Sequence, residues 1–205
     1  METATKGAGG VFNDAAQKSK RLSSEIETAK QNPGTVTIGG ASAGSGEHIL
    51  AARIADTAGV EFNYVPFAGG SDLATAILGG HIDCGILNIS EAADFVEAGQ
   101  LVALVTPGAD RFEKFPEVPT LVESGVDVVF AMPRGVVAPG DIPPETIEIL
   151  GETFKQLSES ERWKTEYVDK FLFSLDYKGP EETAKYFEET TAMYEEYLVK
   201  LGIIK

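Results

Sequence analysis

With 205 residues, 43% of them hydrophobic, the chain has material for one large domain or two small lobes around a buried core. Its 17 basic residues face 32 acidic ones, a net charge of −15. Nucleic acid and anionic membrane surfaces both call for clusters of Lys and Arg, so the balance argues against either as a partner. Any anionic ligand must be held by local amides against that field.

The acid excess is strongest after Asp141, with 15 Asp and Glu against 8 Lys and Arg over 141–205, and it falls on helix faces as solvated surface. The single cysteine, Cys84, leaves no internal disulfide and no Cys-rich metal site. It lies in an apolar strand over 82–87 and reads as buried filler. No run of about 18 apolar residues exists to span a membrane. The start, Met1-Glu2-Thr3-Ala4-Thr5-Lys6-Gly7, lacks the basic and apolar regions of a signal peptide. The expectation is either a cytosolic protein or one whose export signal has been removed.

In chain order, residues 1–12 are polar and glycine-containing and are expected to be a poorly ordered tail. A helix is expected from Asn13, with Ala15, Leu22, Ile26 and Ala29 on one face and Asn32-Pro33-Gly34 stopping it. The organising stretch follows: strand 35–39, a small-residue loop, helix 47–58 striped by Leu50, Ile54 and Ala58, strand 61–65, a second glycine loop, and helix 72–78 with Leu73 and Ile77. Gly79-Gly80 turns into strand 82–87. Asn88-Ile89-Ser90 caps a helix to Ala98, and 101–106 is a fourth strand. This alternation predicts an α/β fold, a mostly parallel sheet covered on both faces.

The rhythm breaks at Pro107. A short helix over 120–124 precedes an apolar strand over 126–131, which Met132-Pro133-Arg134-Gly135 interrupts before 136–138 resumes it. A proline-led helix begins at Pro143-Pro144, striped by Ile147, Leu150, Phe154 and Leu157. Trp163, Tyr167 and Phe171 suggest another helix, running into a short strand over 171–175. The last helix, from Pro180, aligns Ala184, Phe187, Thr191, Tyr194, Leu198 and Leu201 as a core face. The organisation expected is a tail and helix over 1–32, an α/β ligand-binding lobe over 33–134, and a crossing strand with C-terminal helices over 135–205.

Both small-residue loops sit at carboxyl ends of strands, where open parallel sheets bind ligands because helix starts leave backbone N–H groups unpaired. The expected donors are Ser42, Ala43, Gly44, Ser45 and Gly46 in one loop and Phe67, Ala68, Gly69, Gly70 and Ser71 in the other, with His48 in the first helical turn and Asn88 and Ser90 at the edge. An anion suits this place. Catalysis does not: neither His48 nor His81 has a partner at metal-ligand spacing, Gly44-Ser45-Gly46 lacks the lysine of a nucleotide loop, the dinucleotide fingerprint fails, and no base and acid stand in register with the serines. The expectation is a binding protein with no metal or cofactor. An enzyme for a phosphorylated substrate is held low, for want of a lysine, metal ligands or an acid-base pair.

Several pieces in order resemble one family, the solute receptors of tripartite tricarboxylate transporters, or Bug receptors. They are Asn32-Pro33-Gly34 with its strand, the 41–46 loop with His48, Tyr64-Val65-Pro66-Phe67-Ala68-Gly69-Gly70, Leu78-Gly79-Gly80-His81-Ile82-Asp83, the run from Phe115-Pro116-Glu117-Val118-Pro119-Thr120-Leu121 to Gly125, and Arg134-Gly135-Val136-Val137-Ala138-Pro139 with Ile142-Pro143. The resemblance covers about 185 residues and implies a two-lobed periplasmic-binding-protein fold with a three-layer lobe. It also implies a small organic carboxylate as ligand, membrane transporter subunits as partners, and a periplasmic or extracellular, membrane-associated location. Family members carry roughly another hundred residues ahead of the first helix, the size of a small domain, forming most of lobe one. The chain therefore resembles lobe two plus the C-terminal part of lobe one. Two further expectations follow: apolar helix stripes seeking a partner, by self-association or rearrangement, and, as the alternative function, a ligand-sensing or scaffold module with weak binding.

Overall fold

The computed structural model describes residues 5–7, 9–14 and 22–205. The expected tail residues 1–4 and 8, and Ala15 of the expected helix, lie outside these. Three β-loop-α units form as the hydrophobic spacing predicts: β3 (Thr37–Gly40) into α2 (Gly46–Ala58), β4 (Asn63–Pro66) into α3 (Gly70–Leu78), and β5 (Cys84–Asn88) into α4 (Ile89–Glu97), which leads to β6 (Leu101–Val105). β3 pairs in parallel with β4 on one side and β5 on the other.

The tail expected over 1–12 is overturned where residues are described, and so is the helical start at Asn13, whereas the expected stripe of Leu22, Ile26 and Ala29 is helical and buried. Gly9–Asp14 is a strand, β2, inserted antiparallel between β5 and β6, with Gly9 opposite Asn88 and Asp14 opposite Leu101. The sheet order is therefore β4-β3-β5-β2-β6, and the sheet is mixed, because β2 runs against the other four strands. A strand buried on both faces normally reads as an apolar run. Here only Val11 and Phe12 are apolar, one to each face, and both are 0% exposed. At Gly10 a side chain would meet the Phe12 ring and the Val105 carbonyl, each 3.1 Å from its Cβ. The helix itself is α1 (Leu22–Gln31).

Two cores follow from the two faces. Leu22 and Ile26 of α1 and Ile49, Leu50 and Ile54 of α2 pack with Ile38 and Ile86 on one side; Leu73 and Ile77 of α3, Ile89, Leu101, Phe112 and Phe115 pack on the other. Each such side chain removed from water contributes about 1.5–3 kcal/mol. Cys84 is buried filler, and burial pushes its thiol far above the ordinary range.

Beyond β6 the strand expected over 126–131 does not form and joins no ladder. Val126, Val128 and Phe130 are buried, and the Phe130 N–H reaches the Pro107 carbonyl at 2.8 Å. The helix expected over 120–124 is a turn: Ser124 N–H donates to Thr120 O at 3.1 Å, while the Glu123 carboxylate takes the Thr120 N–H and Arg111 Nε, both at 2.8 Å. After a single parallel bridge of Thr106 with Thr120, ladder pairing resumes in β7 (Met132–Arg134), which pairs with β1 (Thr5–Gly7), itself paired with β8 (Ser174–Leu175), in a small antiparallel sheet. No strand forms over 136–138; Val137 is 76% exposed.

The C-terminal section holds α5 (Pro144–Glu159), then α6 (Glu161–Trp163), a π turn (Lys164–Val168) and α7 (Asp169–Phe171), and finally α8 (Pro180–Lys200). The apolar stripe of α8, expected to lack a partner, has one for its C-terminal half. Tyr194, Tyr197, Leu198 and Leu201 pack on the first core, and Lys200 pairs with Asp56 of α2. Its other half, with Phe187, remains exposed, as does Ile149 of α5.

Candidate ligand site

The registers Gly40 opposite Pro66, Gly39 opposite Gly85 and Gly9 opposite Asn88 bring the carboxyl ends of β3, β4 and β5 to one edge of the sheet. Neighbouring strands lie about 4.8 Å apart. The starts of α2, α3 and α4 therefore stand side by side, and every expected donor loop faces the same edge. The Gly40 carbonyl accepts the Phe67 N–H at 2.8 Å, tying the first two loops together.

The three loops differ in what they do with their polar groups. In the first, the Gly44 N–H donates to His48 Nδ1 at 3.1 Å, which leaves the imidazole proton on Nε2. Ser45 caps α2, its Oγ accepting the His48 N–H at 3.4 Å, and its own N–H donates to Ser42 O at 3.0 Å. The His48 ring lies flat on Tyr64, centroids 4.0 Å apart and planes within 14°. The Tyr64 hydroxyl donates to Ala41 O at 2.7 Å. Burial lowers the His48 pKa and raises that of Tyr64 to about 12. Gly44 has φ +81°, and a Cβ there would stand 3.2 Å from Leu198 of α8. A Cβ on Gly46 would likewise meet Met132 Sδ at 2.9 Å and Tyr194 Oη at 3.0 Å. Gly44, Ser45, Gly46 and His48 thus serve as internal bracing, and Ser42 and Ala43 form the exposed tip.

The second loop is open. Ala68, Gly69 and Ser71 are exposed, and Phe67 packs into the second core. Gly69, the N-cap of α3, has extended backbone, and a Cβ there would have nothing within 4 Å. At the third, Asn88 caps α4 and Ser90 is exposed. Sequence reasoning missed Glu91, whose carboxylate accepts the Asn88 N–H at 3.2 Å and Asn88 Nδ2 at 3.3 Å. The Asn-x-x-Glu spacing of a capping box was the available signal. Each of the three helices also carries an acid in its first turn, Glu47, Asp72 and Glu91. Among the described residues no group of three or more His, Cys, Asp or Glu could hold a metal ion.

An α/β lobe with small-residue helix starts gathered at one sheet edge defines a periplasmic-binding-protein-like binding module. The family model for the tripartite tricarboxylate transporter family receptor matches residues 5–203, and the chain belongs to that family. It is 32% identical over 196 residues to a protein of Cupriavidus necator described as "UPF0065 protein in gbd 5'region", covering 96% of this chain and 59% of that one. The chain thus spans a little over half the length of that curated relative. Among solved structures it resembles a TctC solute binding protein from Polaromonas, with TM-score 0.81 and 24% identity over 97% of this chain and 68% of that one. MatC from Rhodopseudomonas palustris, with bound malate, superposes with TM-score 0.79 and 18% identity over 95% and 67% of the two chains. Members of the family are periplasmic solute-binding receptors, not enzymes. No helix among the described residues is long and apolar enough to cross a membrane.

Proposed function

We propose that this chain holds a small organic carboxylate at the edge formed by α2, α3 and α4, as part of a membrane-associated receptor that delivers it to the membrane subunits of a tripartite tricarboxylate transporter. The observation that carries the reading is the convergence of three helix starts, with Ser42, Ala43, Ala68, Gly69 and Ser71 exposed at their tips. Backbone N–H groups at such starts bind carboxylates without a cationic side chain, which a chain of net charge −15 requires. Family membership and the malate-bound neighbour support the same ligand class. In this reading 33–134 is the ligand lobe, 135–205 belongs to the opposing lobe, and 1–32 leads into them, with β2 completing the ligand lobe's sheet. The exposed Ile149 and Leu157 of α5 offer a place for self-association.

Thermal-shift screening of the protein against small carboxylates and against nucleotides tests the proposal. A ligand of the folded state raises the melting temperature by mass action. A shift with carboxylates and none with nucleotides is expected. A shift with nucleotides alone would overturn the reading, and no shift with any carboxylate would favour the weakly binding sensing or scaffold module.

A further inference from the structure

Glu91 sits at the junction of two helix starts. Its carboxylate takes both the backbone N–H and the side-chain amide of Asn88 at the head of α4. It also lies flat against the head of α3, since a Cβ on Gly70 would stand 2.7 Å from both its Cδ and its Oε2. The absence of a side chain at Gly70 is what admits this carboxylate. One internal anion therefore faces two of the three helix dipoles that the sequence assigns to a ligand anion.

Resting on the carboxylate reading above, we infer that Glu91 is a specificity-determining residue, which makes the α3–α4 side of the site select a hydrogen-bond donor on the ligand and favours hydroxy- or amino-carboxylates over unsubstituted dicarboxylates. A ligand carboxylate brought beside Glu91 would place two like charges within a few ångströms, and one of them would have to take up a proton. A hydroxyl or ammonium meets the same oxygen as a donor and satisfies it. The ligand's carboxylate is left to the 41–46 side, where Ser42 and Ala43 are exposed. Sites built to pair with a donor reject the analogue that lacks it more strongly than apolar pockets reject a missing methylene, because the acceptor is then left desolvated and unpaired. The capping role of Glu91 does not compete with this assignment. A glutamine keeps an acceptor oxygen for Asn88 while removing the charge.

The test is a matched series, succinate, 2-hydroxysuccinate and 2-aminosuccinate, titrated calorimetrically into the wild-type protein and into Glu91→Gln. The wild type is expected to bind a substituted member at least about tenfold more tightly than succinate, and Glu91→Gln to bring that ratio within about threefold by gaining affinity for succinate. A purely capping role would lower the melting temperature and leave the ratio where it was. Equal wild-type affinities across the series, or an unchanged ratio in Glu91→Gln, overturn the inference and leave the carboxylate receptor standing. Binding of no member by either protein removes the receptor reading and this inference with it. Should Glu91→Gln not fold, the wild-type ranking decides, together with Gly70→Ala, whose methyl displaces the carboxylate and is expected to relax the ratio in the same direction.

Discussion

The loops over 41–46 and 67–71 look alike in sequence, small residues between a strand and a helix, and 88–91 joins a strand to a helix beside them, yet the three are built differently. The first is locked from both sides: His48 and Tyr64 hold its backbone, and Leu198 and Tyr194 of the C-terminal helix press on Gly44 and Gly46. The second stands in solvent, and the third carries a carboxylate in place of an anion-binding hole. Glycine in the first loop answers a packing demand, and in the second only the freedom to approach a ligand. A small-residue loop at the end of a parallel strand marks a place, and its neighbours decide what the place does.

The sharpest way to break this comparison is to put a side chain into each loop. Gly44→Val meets both the left-handed backbone and Leu198, a cost of about 2–4 kcal/mol. For a chain of this length that lowers the melting temperature by about 2–4 °C per kcal/mol. Gly69→Ala has extended backbone and open space, so it should stay within about 0.5 kcal/mol. Equal melting temperatures for the two variants would dissolve the distinction. The next largest contrast is Ser45→Ala against Ser71→Ala. Loss of the α2 cap should cost about 1 kcal/mol, whereas exposed Ser71, whose hydroxyl caps nothing, should cost none measurable. Chemical denaturation of both proteins reads the difference, and a destabilised Ser71→Ala would count against it.

Much of the lobe was legible because its strands and helices keep strict hydrophobic spacing: Ile49, Leu50 and Ile54, or Leu73 and Ile77, fall on one face whatever surrounds them. β2 was not legible, since Gly9-Gly10-Val11-Phe12-Asn13-Asp14 offers only two apolar residues, and its place is set by partners 70 and more residues away. The segment 126–131 failed in the opposite sense. Its alternation is real and Val126, Val128 and Phe130 are buried, but burial without a neighbouring strand makes no ladder. At the site, the positions of the loops could be read from the pattern, while their division into braced and open could not. The bracing depends on Leu198 and Tyr194, about 150 residues downstream of Gly44 and Gly46, and on a histidine nitrogen whose partner only the fold supplies. The Asn88-x-x-Glu91 spacing carried a capping signal that the sequence reading passed over, and the reach of Glu91 to Gly70 is a contact between two helices.

The smallest effect expected is also the one that isolates the bracing of the first loop. Burial lowers the pKa of His48 below its ordinary 6.5, so as pH falls the unfolded chain takes up this proton before the folded protein does. Stability from the neutral imidazole is therefore fully present above about pH 7, where both states are neutral, and is lost as pH falls through the unfolded value toward the lowered folded one. Protonation also turns Nδ1 from acceptor to donor, which sets it against the Gly44 N–H it now holds. His48→Asn cannot titrate in this range. The melting temperature of the wild type should consequently fall more than that of His48→Asn between about pH 7.5 and pH 5.5. Titration of the acidic residues is common to both proteins and cancels in the comparison. Parallel pH profiles would mean that the ring stacked on Tyr64 holds its proton as easily in the folded protein as in the unfolded chain, and the first loop would then be no more tightly braced than the second.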